Sequence, residues 1–282
     1  MEDSQNFYND CYVREESVDA FNSNLPVPFY HVLLFKGQGS VTVDFVEYDF
    51  SGSTALFTSP YQAIQFKAEL EGDIRILVFH GDFYCIEYHK KEVACNGLLF
   101  NNIYSQPFVS LNNEQYQGIN VLLDKLAGEL DFTDSYSNAV VRSYLQLILA
   151  LSSKIKMGYL AATNDEQLKH PVSRFRELLE THFKTERSPS FYAAALGIAP
   201  NTFTKQCISY FSRPPSQLIQ ERVILEAKKL IHLTYKSMKE IAAELHFDDE
   251  NYFSRYFKKH AGISASQFRE KVGISIVADL SR

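Results

Sequence analysis

The sequence predicts an α+β chain of two domains, a β-rich N-terminal half and an all-α C-terminal half, and three observations lead there. Short runs rich in Phe, Tyr, Val and Ile, separated by turn residues, fill the stretch from about Pro26 to Ile103. From Asn113 onward the apolar residues recur at helical spacing. A segment near Tyr192 returns about 50 residues later, the mark of a duplicated helical unit. A chain of 282 residues is about the right length for two such domains.

The β-rich half is made of PFYHVLLF, SVTVDFVEYDF, TALFTS, YQAIQFKAEL and RILVFHGDF. Gly37-Gln38-Gly39, Ser51-Gly52-Ser53, Ser59-Pro60 and Glu71-Gly72-Asp73 punctuate these runs as expected turns, so a small sandwich or barrel is predicted. Two helices follow. The first carries Tyr116, Ile119, Leu122, Leu123, Leu126 and Leu130; the second carries Tyr136, Val140, Tyr144, Leu147, Ile148, Leu151 and Ile155. Val141, Leu145 and Leu149 widen the second stripe, which therefore expects more than one partner. Packing on the β domain and a homodimer seam are both open. The expected boundaries are 1–112 for the β domain, 113–160 for the helical packing or dimerisation segment, 161–170 for a linker and 171–282 for the all-α domain.

Composition narrows the function classes. MEDSQNFYNDCYVREES is acidic and polar, unlike a signal peptide, and no apolar run reaches the ~18 residues that span a bilayer, so a soluble, cytoplasmic protein without a membrane partner is expected. Cys11, Cys85, Cys95 and Cys207 form no C-x-x-C pair; Cys85 and His89 lack a second ligand pair, so free thiols are expected. The net charge of −6 is unevenly spread. Residues 170–273 carry 16 Lys+Arg against 11 Asp+Glu, while the rest carries 12 against 23, which suits one half meeting a polyanion.

The repeat carries the functional reading. Tyr192-Ala193-Ala194-Ala195-Leu196-Gly197-Ile198 returns as Ile241-Ala242-Ala243-Glu244-Leu245-His246-Phe247, and Phe203-Thr204-Lys205 as Phe253-Ser254-Arg255. Two helices that cross steeply need a small residue at closest approach, supplied by Ala193 and Ala242. The turn between them favours a positive φ, which Gly197 takes without strain and His246 takes at a cost of about 1–2 kcal/mol. Ser237–Glu240 and Ser264–Gln267 read as capping boxes, and Asp248 or Asp249 as a helix cap. Strong helix formers from Pro215 to Leu233 predict a helix of about 28 Å between the two units. This is the pattern of two helix-turn-helix units joined by a rod, and it predicts binding to double-stranded DNA.

These residues resemble the AraC/XylS family of transcription regulators. The resemblance covers about Val172 to Gly273. It is carried by Glu221 to Ile231, similar to the family's linker helix, and by SMKEIAAELHFDDENYFSRYFKKHAGISASQFR from Ser237 through Arg269. The sequence departs from the family pattern at His246 and Ser212, where Gly is usual, at Ala265, where Pro is usual, and at Cys207, where an aromatic residue is usual. The N-terminal half resembles the cupin-like β-barrel sensory domain of the same family, with Gly37-Gln38-Gly39 and Phe57 to Gln62 in the matching places. What the resemblance implies is a small effector bound in the barrel and a homodimer formed through the adjacent helices. RNA polymerase remains open as a further partner.

A recognition helix presents its N-terminal part to base edges. The exposed candidates are Asn201, Thr202, Thr204, Lys205 and Ser209 in the first unit, and Asp249, Glu250, Asn251, Ser254, Arg255 and Lys258 in the second. Asn201 and Asn251 suit adenine, Lys205 and Arg255 guanine, and Glu250 cytosine. Lys258, Lys259, Arg213 and Lys236 are phosphate candidates, Arg222 reads as a pairing residue between the units, and Phe203, Phe253 and Phe257 as core. The Asp248-Asp249-Glu250 run would repel phosphate unless it caps the helix.

Phe29, His31, Tyr48 and Phe79 are the candidate effector-pocket residues. His31, His80 and His89 with Glu47, Glu69 and Glu87 lack the compact H-x-H spacing of a cupin metal site, so no metal, no cofactor and no enzymatic activity are expected. The rival reading from another class is a cupin-type metal-dependent enzyme fused to a DNA-binding domain.

Overall fold

The computed structural model describes residues 11–22, 29–44, 46–60, 62–84, 98–100, 103–132, 134, 136–167 and 172–274. These divide into two compact units. One holds the described residues up to Tyr159 apart from Ile103–Ser105; the other holds Ile103–Ser105 and the residues from Leu160 on.

The first unit contains six antiparallel strands: β1 (Cys11–Glu16), β2 (Tyr30–Val43), β3 (Val46–Thr58), β4 (Ile64–Leu70), β5 (Ile74–Phe79) and β6 (Phe108–Leu111). They run in the order β1-β5-β2-β3-β6, with β4 also on β2. A short helix α1 (Val18–Asn22) docks on β4, where Asn22 accepts from the Phe66 amide at 2.8 Å and donates to its carbonyl at 2.9 Å.

Two of the expected turns are not turns. β2 and β3 run straight through Gly37-Gln38-Gly39 and Ser51-Gly52-Ser53, with Gly37 opposite Gly52. The reversal lies instead between Val43 and Val46, beside Asp44. Asp44 has φ 55°, and its carboxylate accepts from the Ala63 amide and the Gln62 side chain, both at 3.0 Å. The glycines answer another need. Along one edge of β2 the partner changes from β5, opposite Tyr30–Leu34, to β4, opposite Gly37–Val43. A Cβ on Gly37 would stand 2.2 Å from the Glu69 carbonyl oxygen, and one on Gly39 2.5 Å from that of Lys67. Glycine here marks a close backbone approach. β1 and β6 lie outside the predicted β region or at its margin; β1 is recruited by long-range pairing with β5, from Cys11↔Phe79 to Glu16↔Ile74.

Both faces of the sheet are buried, and strand alternation sorts the residues. One face gathers Leu33, Phe35, Val41, Phe50, Leu56, Phe66, Ile76 and Val78 around an aromatic knot, with Phe35 5.0 Å from Phe50 and 5.2 Å from Phe66 by ring centroid. The other gathers Tyr30, Val32, Leu34, Ala55, Phe57, Leu77 and Phe79 with Ile119, Leu123 and Leu126 of α2 (Asn113–Leu130) and Val141, Leu145, Ile148 and Leu149 of α3 (Ser137–Gln167). Helix α2 starts at Asn112, which forms a capping box with Gln115. Helix α3 continues to Gln167, through most of the stretch expected to be the linker. Among the described residues no helix is long and apolar enough to cross a membrane.

The second unit is helical: α4 (Ser173–His182), α5 (Pro189–Ala195), α6 (Pro200–Phe211), α7 (Pro215–Leu233), α8 (Met238–Glu244), α9 (Glu250–Ala261) and α10 (Ala265–Val272). Phe175, Tyr192, Phe203 and Phe211 pack in one half, and Phe247, Phe253, Phe257 and Phe268 in the other. Helix α7 buries Leu218, Ile219, Val223, Ile224, Ala227, Leu230 and Ile231 along its length and so serves both halves. Its last carbonyl groups are capped by Arg269, which donates to Ile231 at 3.2 Å and also holds the Lys236 carbonyl at 2.7 Å.

The close approach at β4 gives a direct test. Gly37→Ala is expected to lower stability by about 2–4 kcal/mol, because β4 must move away from β2. Urea unfolding of the full chain measures this, and a loss of under about 0.5 kcal/mol would show that the strands are not so closely apposed.

Candidate nucleic-acid interface

Each copy of the repeat folds as a helix, a tight turn and a second helix: α5 to α6, and α8 to α9. The turns are built alike. The Ile198 amide donates to the Ala193 carbonyl at 2.9 Å and the Gly197 amide to Ala194 at 3.0 Å. In the second unit Phe247 donates to Ala242 at 2.9 Å and His246 to Ala243 at 3.0 Å. These paired bonds form a Schellman closure, which requires a left-handed residue after the helix. Gly197 takes it with φ 66° and His246 with φ 53°. Ala193 and Ala242, both buried, sit beneath the turns.

The second helix of each unit is anchored from below. Phe203 and Cys207 in α6, and Phe253 and Phe257 in α9, are fully buried. Burial pushes the Cys207 thiol up to about 12, so it stays a neutral packing group. The ten residues from Asn201 and the ten from Asn251 alternate between buried and exposed in the same order. The two helices therefore present equivalent faces. Asn201, Thr202, Lys205 and Ser209 are exposed on α6, and Asn251, Arg255, Lys258 and Lys259 on α9; Thr204 and Ser254 are half-buried.

Several polar groups near these faces are already engaged. Asp249 caps α9, its carboxylate accepting from the Tyr252 amide at 2.7 Å, while Glu250 stays exposed in the first turn. The Thr204 hydroxyl donates to the Pro200 carbonyl at 3.1 Å. Arg213, a phosphate candidate by sequence, is 5% exposed and bonds Glu221 at 2.7 Å, so it braces the start of α7 instead. Lys236 pairs with Glu244, which Lys184 also reaches at 3.1 Å. Arg222 grips Glu180 at 2.9 Å, Glu226 at 3.1 Å and the Phe183 ring at 3.8 Å, joining α4 to α7 rather than one repeat to the other. Periodicity had not singled out Ile208 or Tyr252, apolar residues 49% and 43% exposed on α6 and α9.

A helix-turn-helix family model matches residues 192–271. An Escherichia coli K12 protein named as the HTH-type transcriptional regulator YkgA is 43% identical over 110 residues, covering 39% of this chain and 46% of that one. Residues 192–271 form an AraC-type helix-turn-helix domain. The RhaR transcriptional activator of Cronobacter sakazakii is 25% identical over 202 residues, 70% of each chain. The solved C-terminal domain of AraT, a response regulator of Geobacillus stearothermophilus, is 26% identical over 36% of this chain and 86% of that one, with a TM-score of 0.35. The chain thus spans about half the length of the first of these regulators. Within the AraC-type domain, His246 and Ser212 both hold left-handed backbone, at φ 53° and 57°, without being glycine.

The four candidate effector residues do not meet on one surface. Phe29 and Tyr48 pack against the cluster around Phe35, and buried His31 points to the same face, with Thr58 at 3.3 Å. Phe79 lies on the other face, because the register sets it opposite Tyr30, on which it stacks at 5.2 Å, and sets Val78 opposite His31. His80 lies 3.5 Å from the Asp82 carboxylate and edge-on to the Phe29 ring at 5.8 Å. Among the described residues no three of His, Cys, Asp and Glu are grouped to hold a metal; His89, Glu87, Cys85 and Cys95 fall outside those residues.

Two expectations follow. His246→Gly relieves the left-handed strain at an exposed position and should raise the melting temperature, by about 1 kcal/mol of stability; a clear drop in a thermal melt would show that the histidine does more than turn the chain. Burial, helped by Arg14, holds His31 down to about 4, so it is neutral when folded and charged in the unfolded chain below its usual 6.5. Stability is therefore lost as pH falls from about 6.5 toward 4, by on the order of 3 kcal/mol at the bottom of that window. His31→Gln should flatten this part of a stability–pH curve, and an unchanged slope would assign it to other groups.

Proposed function

We propose that this chain is a sequence-specific DNA-binding transcription regulator of the AraC type, acting in the cytoplasm, with α6 and α9 as its two reading helices. The single observation that supports this best is the duplicated surface. Two helices, each fixed by the same turn and the same buried aromatic anchor, expose the same positions to solvent. Asn201 and Lys205 on α6, and Asn251 and Arg255 on α9, lie one helical turn apart on those faces, where amide and cationic groups suit adenine and guanine edges. Thr202, Thr204, Ser254 and Lys258 flank them, Glu250 would accept from cytosine, and Lys258 and Lys259 suit phosphates. Asp249 serves the interface as the cap of α9. That use removes part of the acidic run's repulsion toward DNA, since the carboxylate is satisfied at the helix N-terminus.

Control is assigned to the N-terminal unit, through a small effector or through dimerisation. For the effector, His31 and Thr58 offer a polar pair on the sheet face against which Phe29 and Tyr48 also pack. For the dimer, α3 exposes Leu147 at 43% and Leu151 at 36%, in line with the half-exposed Val140 and Tyr144. A continuous apolar stripe at helical spacing suits a second copy of the same helix. RNA polymerase would be the partner of an activator.

Lys205→Ala and Arg255→Ala should each weaken binding to a selected duplex by about 1–3 kcal/mol and relax preference at one or two base pairs. Duplexes enriched by the full-length protein from a random library supply the probe for a binding titration at fixed salt. Undiminished affinity in both variants would remove this reading surface.

A further inference from the structure

The two helix-turn-helix units are joined covalently by α7, which packs on both, and the chain leaves the rod before the second unit begins. From Thr234, whose backbone is extended at φ −141° and ψ 154°, the chain passes to Ser237, the cap of α8. A second connection lies outside this path. Lys184 and Arg187 sit in the turn between α4 and α5, just ahead of Ser188, the N-cap of the first unit's opening helix. Lys184 reaches Glu244 at the end of α8 at 3.1 Å. The Arg187 guanidinium donates to the carbonyls of Leu245 and His246, the latter at 3.2 Å, and lies 3.9 Å from the centroid of the Phe247 ring. Leu245, His246 and Phe247 are the turn of the second unit.

The chemistry suits a guanidinium. The Leu245 and His246 carbonyls lie just past the last residue of α8, at the negative end of that helix. One end of the guanidinium, Nη2, reaches both carbonyls while its flat face rests on the Phe247 ring; an ammonium has no flat face to stack there. The residue gripped is also the strained one, since His246 holds φ 53° where glycine would be relaxed.

We propose that Arg187 is a positioning residue: by holding the second unit's turn from the threshold of the first, it sets the angle at which α6 and α9 meet one duplex. This rests on reading both helices as DNA-reading. A rigid duplex must be met by both at once, and two reading heads held at a set angle gain from the second contact only when that angle matches the spacing of their half-sites. Loss of the clasp leaves each head intact and packed on α7 but loosens the angle between them.

The test uses the full-length protein and duplexes it enriches from a random library, in which the two half-sites are then moved apart by one and two base pairs. The wild type should lose at least about tenfold in affinity on displacement. Arg187→Lys, which keeps the charge, should hold a single half-site within about twofold yet show a displacement penalty of under about threefold. A penalty equal to the wild type's overturns the proposal. A second measurement is independent of DNA. Spin labels introduced through a bio-orthogonal residue at exposed positions 209 and 259 report the distance between the ends of α6 and α9. The distribution should broaden in Arg187→Lys and Arg187→Ala; an unchanged width in the folded lysine variant overturns the clasp even if the alanine variant fails to fold. If the wild type enriches no duplex, the DNA reading fails, and the label distances still decide the role of Arg187.

Discussion

The C-terminal half depends on a turn that a side chain resists. To send α6 away from α5, and α9 away from α8, the chain must take one residue into left-handed backbone while two amides close back onto the first helix. That closure sets where each second helix begins. Burial of Phe203 and Cys207, and of Phe253 and Phe257, then sets how it is rolled. Because both constraints recur, the same positions emerge toward solvent twice, and the matching faces are a consequence of the turn rather than of the exposed residues themselves. The second unit accepts a strained histidine where the first uses glycine, and it is also the unit whose turn carbonyls are held from outside by Arg187.

Charged residues near the interface divide by burial. Arg213, Arg222 and Arg269 are spent inside the domain on Glu221, on Glu180 with Glu226, and on the end of α7. Lys205, Arg255, Lys258 and Lys259 stay exposed on α6 and α9. The modest positive balance over the domain is not confined to those two helices, since Arg174, Arg176, Lys239 and Lys271 are exposed as well, which is why net charge alone was a weak guide. In the N-terminal unit the sheet buries aromatic residues on both faces, and the helices that cover one of them leave Leu147 and Leu151 of α3 exposed.

Much of the helical half was legible in the sequence because its determinants are local. The capping boxes at Ser237 and Ser264, the Asp249 cap, the rod from Pro215 to Leu233 and the inward phenylalanines all follow from residues within a few positions of one another. The repeat added the turn positions. The β half was legible only as β. Gly37 and Gly52 looked like turn residues, yet they face each other within one hairpin, since what demands glycine at Gly37 is the Glu69 backbone arriving from β4. The role of Arg213 was hidden for a related reason: a cation beside a helix start reads the same whether it faces solvent or Glu221.

The sequence by itself determined the two-domain α+β class, the duplicated helix-turn-helix units and the residues that start, cap and end their helices, because hydrogen bonds to near neighbours and a 3.6-residue period leave direct traces in the order of residues. Tertiary structure alone decided that β1 completes the sheet, that Phe79 and His31 part to opposite faces, that α3 runs into the expected linker, and that Arg187 spans the two units. Those outcomes depend on strand register and on contacts between residues tens of positions apart. Alternation along one strand states that neighbours diverge, but only pairing with a distant strand states toward what.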